Sequence, residues 1–277
     1  MLRSMIIGLD GSVYGDAAIE LAIRWAQRFD ALVAGLGVVD EPAICKCECV
    51  PIGAGRFKAE RDQHLLAKAR CRVKGLLEEF ARRCDAEGVR YKVIEDVGTP
   101  ETQIVQNSRQ YDLIVLGQQT YFGFESQPWP DETLQNVLRQ SSRPVVTVPD
   151  TLADGNSVVV AYDGSPQADR ALQAFRTLEL AGGNEVHVLS IHSDHATAEQ
   201  QARQAVDFLK SHGVSAFPHS AEPTTSVDKI ILDKVQQLQA RLLVMGACGR
   251  PIWREYVFGS TTTSVLEASP VPLLLCH

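Results

Sequence analysis

Short apolar runs alternate along the chain with stretches whose apolar residues recur every three or four positions, the signatures of buried strands and of one-sided helices. Residues 5–12 read MIIGLDGS and residues 158–165 read VVVAYDGS, so one apolar strand ending in Asp-Gly-Ser occurs twice. Helical spacing follows each copy: Ala17, Ala18, Leu21, Ala22 and Trp25 in the first, Ala168, Ala171, Leu172 and Phe175 in the second. In the first copy the pattern then predicts a strand at 31–39, a long helix at 57–87, a strand at 90–97 and a helix from Pro100 through Ile104 and Val105. A strand at 112–117, a helix at 133–139 and a strand at 144–148 complete it. The second copy is shorter: strand 185–191, helix 196–212, strand 214–220, helix 227–238, then strand, loop, helix and strand within 241–277. PDTLADGN at 149–156 supplies the turn and breaker residues of a boundary. The expectation is an α/β chain of two tandem domains, 1–150 and 157–277, each a doubly wound, Rossmann-like parallel sheet of five strands joined by right-handed crossovers.

Composition narrows the classes. The 277 residues can bury two ordinary cores, and 45% hydrophobic with 22% charged residues is usual for a globular chain. A net charge of -7 without a basic stripe argues against nucleic acid. No apolar run reaches membrane-spanning length, and MLRSMIIGLDGS runs straight into a strand without a cleavable signal. A cytoplasmic location is expected, where the seven cysteines are thiols or metal ligands rather than a disulfide framework.

The candidate chemistry concentrates in RLLVMGACGRPIWREYVFGSTTTSVLEASPVPLLLCH at 241–277. Gly246, two residues, Gly249, nine residues, Gly259 and the hydroxyls of Ser260, Thr261 and Thr262 form a strand, glycine loop and helix start. Glycines let backbone N–H groups approach an anion, and the positive end of the helix dipole favours negative charge. This pattern, G-x-x-G, nine residues, G-S/T, followed by Ser269-Pro270-Val271-Pro272, resembles the nucleotide signature of the ATP-binding branch of the universal stress proteins. The resemblance extends over nearly the whole chain as two tandem domains of that family.

What it implies is residue-specific. Asp163 meets the nucleoside, Ile191 offers backbone to the adenine, and Met245 and Gly246 flank the ribose. Gly249, Arg250, Gly259, Ser260, Thr261 and Thr262 surround the phosphates, with any Mg2+ held chiefly by phosphate oxygens and water. An Asx-type cap of its own turn is the plainer role for Asp163 and is compatible with ligand contact. His192 and His195 follow the second strand and are candidates to border the adenine. Laying one copy on the other puts Gly117 on Gly246, Thr120 on Gly249 and Asp131-Glu132 on Gly259-Ser260. Two carboxylates at a helix N-terminus repel a triphosphate, so ATP is expected in the second copy alone.

Neither a P-loop nor a nucleophile paired with a base is recognisable, so at most weak ATPase activity is expected. The reading is a nucleotide-responsive stress regulator with an unidentified protein partner. The alternatives are a slow ATPase or adenylate-transferring enzyme, or a zinc or redox sensor. The last rests on Cys45, Cys47 and Cys49, which are too spread in an extended strand, about 13 Å between the outer pair, to share an ion, but can hold Zn2+ if the loop curls. His64, Cys71 and Asp40 are candidate fourth ligands; a redox-sensitive thiol cluster or a plain surface loop are the competing roles. By analogy with the family's pairing through the last strand, 145–148 and 273–275 are expected to pair within the chain as a pseudo-dimer, with association of two chains as a further step.

Overall fold

A computed structural model describes residues 1–46, 55–123, 131–247 and 259–276. The chain divides into two compact units, Arg3–Gln140 and Ser141–His277 with Met1–Leu2. In the first, the elements are β1 (Ser4–Leu9), α1 (Val13–Phe29), β2 (Leu32–Val39), α2 (Glu41–Ile44), α3 (Gly55–Ala86), β3 (Tyr91–Val97), α4 (Pro100–Ser108), β4 (Leu113–Gly117) and α5 (Thr133–Gln140). Its strands lie parallel in the order β3-β2-β1-β4. The chain steps outward from β1 through β2 to β3, then returns to β4 on the other side, which makes the β1/β4 boundary a switch point.

The second unit holds β5 (Val145–Val148), β6 (Ser157–Ala161), α6 (Pro166–Thr177), β7 (Glu185–Ile191), α7 (His195–Ser211), β8 (Ala216–Ala221), α8 (Val227–Gln237), β9 (Ala240–Gly246), α9 (Ser260–Ala268) and β10 (Leu273–Cys276). Its order is β5-β10-β9-β6-β7-β8, with the switch point between β6 and β9. All neighbours are parallel except β5, which runs antiparallel to β10 with Leu274 opposite Val146. The expected pairing of these two runs therefore occurs. Both strands are buried along their whole length, as apolar runs without alternation require.

The predicted elements are present with their ends moved by one or two residues. The addition is α2, four residues inside a stretch read as loop. Asp40 starts it by accepting from Ala43 N at 3.0 Å, and Pro42 fits a first turn that needs no N–H. The Asp-Gly-Ser turns do the same at α1 and α6, where Ser12 and Ser165 accept from Gly15 N and Ala168 N.

Two glycines of β2 let α3 settle onto the sheet. A Cβ on Gly35 would lie 2.6 Å from Phe80 Cδ1, and one on Gly37 2.6 Å from Val73 Cγ1. Phe80 and Val73 are fully buried there. Gly75, on the exposed side of the same helix, has nothing within 4 Å. Opposite effects follow. Gly35→Ala should destabilise by about 1–3 kcal/mol through overpacking, and Gly75→Ala should stabilise by about 0.5–1 kcal/mol through helix propensity. Urea midpoints at unchanged m-value check both.

Candidate functional site: a crevice at the switch point of the second unit

The carboxyl ends of β6, β7 and β9, one side of α8 and the start of α9 enclose a cavity of about 340 Å³. It is lined by Asp163, Ile191, Met245, Gly246, Gly259, Thr261 and Thr262, all expected from the sequence, together with Ala161, Tyr162, Ser165, Gln167, Leu189, Val227 and Ile231. Ser260 opens α9 on its exposed side. Gly249 and Arg250 lie outside the described residues. The volume is within the range of small-ligand sites.

Of the apolar wall, Leu189, Val227 and Ile231 were missed in the sequence, although their signals were there. Leu189 is the alternate residue to the expected Ile191 on β7 and shares its face. Val227 and Ile231 are four apart on α8 and share a side.

The polar rim is built from strand ends. Asp163 is exposed, and its Oδ1 accepts from Ser165 N at 3.0 Å, so the Asx-type turn exists and leaves the carboxylate at the mouth. Behind it, the buried Tyr162 hydroxyl donates to Asp169 Oδ1 at 2.6 Å; burial and that carboxylate hold the phenol well above its usual range. Gly246 has a packing reason as well as a lining position. A Cβ there would sit 2.7 Å from Ala168 N and 2.7 Å from the carbonyl carbon of Gln167, so only glycine lets the first turn of α6 come this close.

Gly259 is different. It is the N-cap of α9, has φ -61 and ψ 150, and makes no side-chain cap hydrogen bond. A Cβ there would have nothing within 4 Å among the described residues. Neither its conformation nor any described neighbour demands glycine, and among the described residues no side chain caps the first-turn N–H groups of the helix beside the cavity.

The first unit treats the matching place in the opposite way. Asp131 stands one residue before the N-cap position of α5, its Oδ1 accepting from Thr133 N at 2.8 Å while Oδ2 accepts from Phe122 N at 2.6 Å. Phe122 is 1% exposed. A Cβ on Gly8 would lie 2.7 Å from Phe122 Cζ, 2.7 Å from Leu116 Cδ2 and 3.4 Å from Ile104 Cδ1. In the repeat, Gly8, Leu116 and Ile104 correspond to Ala161, Met245 and Ile231 of the cavity wall. The Phe122 ring thus packs among the counterparts of residues that surround open space in the second unit.

Asp10, the partner of Asp163, is likewise closed in. It is 1% exposed and accepts from Ser12 N, Ser12 Oγ and Tyr121 N at 3.0, 2.9 and 2.8 Å. Burial pushes its carboxyl up, the three donors pull it back, and Asp131 adds a further upward push. The sequence reading of repelling carboxylates is therefore half of the picture: Asp131 does not face an open pocket but ties a phenylalanine into a filled one.

Other candidates fall elsewhere. His192 Nδ1 accepts from Asp194 N, and His195 Nε2 meets Ser220 Oγ at 3.2 Å; both are exposed, and neither lines the cavity. Among the described residues no group of three or more His, Cys, Asp or Glu is placed to hold a metal. Cys45, His64 and Cys71 are exposed, Asp40 is buried and committed to capping α2, and Cys47 and Cys49 lie outside the described residues. The zinc expectation gains no support. Cys84 and Cys276 are buried thiols pushed up to about 11 and about 12 by desolvation, inert rather than reactive.

A histidine pair that the sequence did not single out lies along the same face of β7. His187 alternates with Leu189 and Ile191, and its Nδ1 meets His219 Nε2 of β8 at 3.0 Å. Burial holds both imidazoles below their usual range; Lys234 of α8 pushes the same way on each, and Glu185 opposes it on His187.

Two doubly wound α/β units in tandem, one with a ligand-sized crevice at its switch point, define a tandem protein of the Rossmann-like class. The chain belongs to the universal stress protein family, whose model matches residues 1–149 and again 156–277. A curated universal stress protein of Synechocystis sp. is 25% identical over 178 residues, 59% of this chain and 57% of that protein, so the match spans little more than half of that relative's length. Among solved structures, a universal stress protein from Archaeoglobus fulgidus shares the fold at TM-score 0.76 and 23% identity, covering 99% of this chain and 97% of that one. A functionally unknown protein from Pseudomonas aeruginosa PAO1 shares it at TM-score 0.63 and 17% identity, with 99% and 92% covered.

Two expectations follow. Phe122→Ala should cost about 3–5 kcal/mol, as expected of a filled core position rather than a loop aromatic, and chemical denaturation measures it. The histidine pair makes stability pH-dependent. With folded pKa values below the unfolded 6.5, the unfolded state binds more protons in that window. The contribution is therefore complete above about 6.5 and is lost as pH falls through the folded values. Thermal midpoints from pH 8 to pH 5 should fall less steeply in His187→Gln than in the parent.

Proposed function

We propose that the second unit is a receptor for ATP and that the chain is a nucleotide-responsive regulator in the cytoplasm, its first unit serving as a structural partner without a nucleotide. The observation that carries this reading is the start of α9, a helix N-terminus that no described side chain caps, opened by a glycine that no described neighbour requires, beside a cavity with an apolar wall. Phosphate oxygens supply the acceptors and negative charge that such an N-terminus favours. The hydroxyls of Ser260, Thr261 and Thr262 add donors, and the family resemblance gives Gly249 and Arg250 to the same phosphates. Leu189, Ile191, Val227 and Ile231 suit an adenine face, with the Asp163 carboxylate at the nucleoside.

Asp163 is the single carboxylate among the described lining residues, which fits binding better than turnover. A bound Mg2+ is then held mainly by phosphate oxygens and water. ATP acts by ordering residues 246–262 and so altering a surface that a partner protein reads.

Gly259→Asp tests the reading by giving α9 the residue found at the matching place in the first unit. A carboxylate N-cap should leave thermal stability unchanged or raise it by a few tenths of a kcal/mol, to order of magnitude. It should also weaken ATP binding by about tenfold or more through repulsion of the phosphates. Calorimetric titration of the full chain should give one ATP per parent chain, with hydrogen-exchange protection across 246–262. ATP bound equally well by Gly259→Asp sinks the proposal.

A further inference from the structure

Beyond its cavity lining, the second unit carries a tie between two strand ends that no lining residue makes. Ser190, fully buried on β7, alternates with Leu189 and Ile191 and so points to the face of the sheet away from the cavity. Its hydroxyl donates to Gln201 Oε1 of α7 at 2.8 Å. The other end of the same amide, Gln201 Nε2, donates to the backbone carbonyl of Asp163 at 3.0 Å. The next residue, Gly164, has φ +73, and a Cβ on it would come 3.1 Å from Gln201 Nε2. The turn that aims Asp163 is therefore pressed against this amide.

The position of the tie matters. The backbone bond from Tyr162 N to Leu189 O, at 2.9 Å, still joins the chain after β6 to β7. One residue further on, at Asp163, the joining is done by the side chain of Gln201. Asp163 and Ile191 are the two groups assigned to the nucleoside, one at the end of each strand. Their separation beyond the last backbone rung is set by an amide with one acceptor and one donor in use. In the first unit the glycine matching Gly164 is Gly11, where a Cβ would come 3.0 Å from Leu76 Cδ2 and 3.5 Å from Arg72 Nη2, with no amide in that place among the described residues.

We infer that Gln201 is a positioning residue for the nucleoside end of the site: without touching the ligand, it fixes the Asp163 turn against the tip of β7 so that carboxylate and Ile191 backbone meet one nucleoside together. The inference rests on the ATP reading above. It needs an acceptor toward Ser190 and a donor toward Asp163 in one side chain, which glutamine has at every pH and glutamate has only when protonated.

That difference gives the test. ATP dissociation constants are measured by calorimetry for the full-length parent, Gln201→Leu and Gln201→Glu from pH 8 to pH 5, and compared as ratios to the parent at each pH, so that titration of ATP itself cancels. Gln201→Leu should bind about tenfold more weakly at every pH, the scale of one hydrogen bond. Gln201→Glu should be at least as weak at pH 8, where its carboxylate faces the Asp163 carbonyl, and its ratio should move back toward the parent as pH falls to 5 and its O–H begins to take over the donation. A merely structural glutamine would lower thermal midpoints without a pH-dependent affinity ratio. If Gln201→Leu fails to fold, the Gln201→Glu ratio decides alone. A ratio near one throughout, or one that does not change with pH, overturns the inference, whereas a parent that binds no ATP overturns the nucleotide reading instead.

Discussion

The second unit's site depends on how closely α6 approaches the end of β9. Gly246 has no space for even a methyl group against the backbone of Gln167 and Ala168. That contact holds the Asp-Gly-Ser turn and the first turn of α6 over the switch point, where parallel strands running in opposite sequence order part and leave a crevice. Any larger residue would push the helix start outward and with it Asp163, Ser165 and Gln167, three of the residues that border the cavity. The first unit obeys the same constraint, because a Cβ on Gly117 would lie 2.6 Å from Tyr14 Cβ. The scaffold is thus shared, and the constraint by itself says nothing about ligand.

What separates the two copies is how each satisfies the start of its last helix. In the first, Asp131 spends one carboxylate oxygen on Thr133 N and the other on Phe122 N, so a single residue both meets a helix-start N–H and draws a phenylalanine toward Gly8. A hydrogen bond to a charged group is worth about 1.5–3 kcal/mol, and burying a phenyl ring is worth about 1.5–3 kcal/mol more. In the second, Gly259 forgoes the cap and the cavity beside it stays open. Among the described residues the two copies thus differ in whether a carboxylate meets the start of the last helix.

The scaffold was legible because periodicity reports which face is buried: the repeated Asp-Gly-Ser strands and the helical spacing after each located nearly every element. The short α2 was not, since four residues carry no period and only the cap at Asp40 marks it. At the site, the glycine spacing and hydroxyls brought together residues that do line one cavity, but the spacing cannot distinguish a glycine held by packing, Gly246, from one free of it, Gly259. That distinction depends on a helix many residues away. The same limit hid Phe122, a loop aromatic by sequence and a core residue by position. Gln201 was invisible for a related reason: an amide on a helix face reads as solvated until the carbonyl it serves is known.

A helix start that no described side chain caps has a thermodynamic consequence under the proposed reading. A ligand that supplies the missing acceptors to α9 stabilises the folded state by an amount that grows with its concentration over its dissociation constant, about 2.7 kcal/mol at a hundredfold excess. Among the described residues, the first unit already meets Thr133 N at the start of its last helix with the Asp131 carboxylate. On the proposed reading a nucleotide would act through the second unit alone, and that asymmetry is what a partner would read to distinguish the bound from the free state.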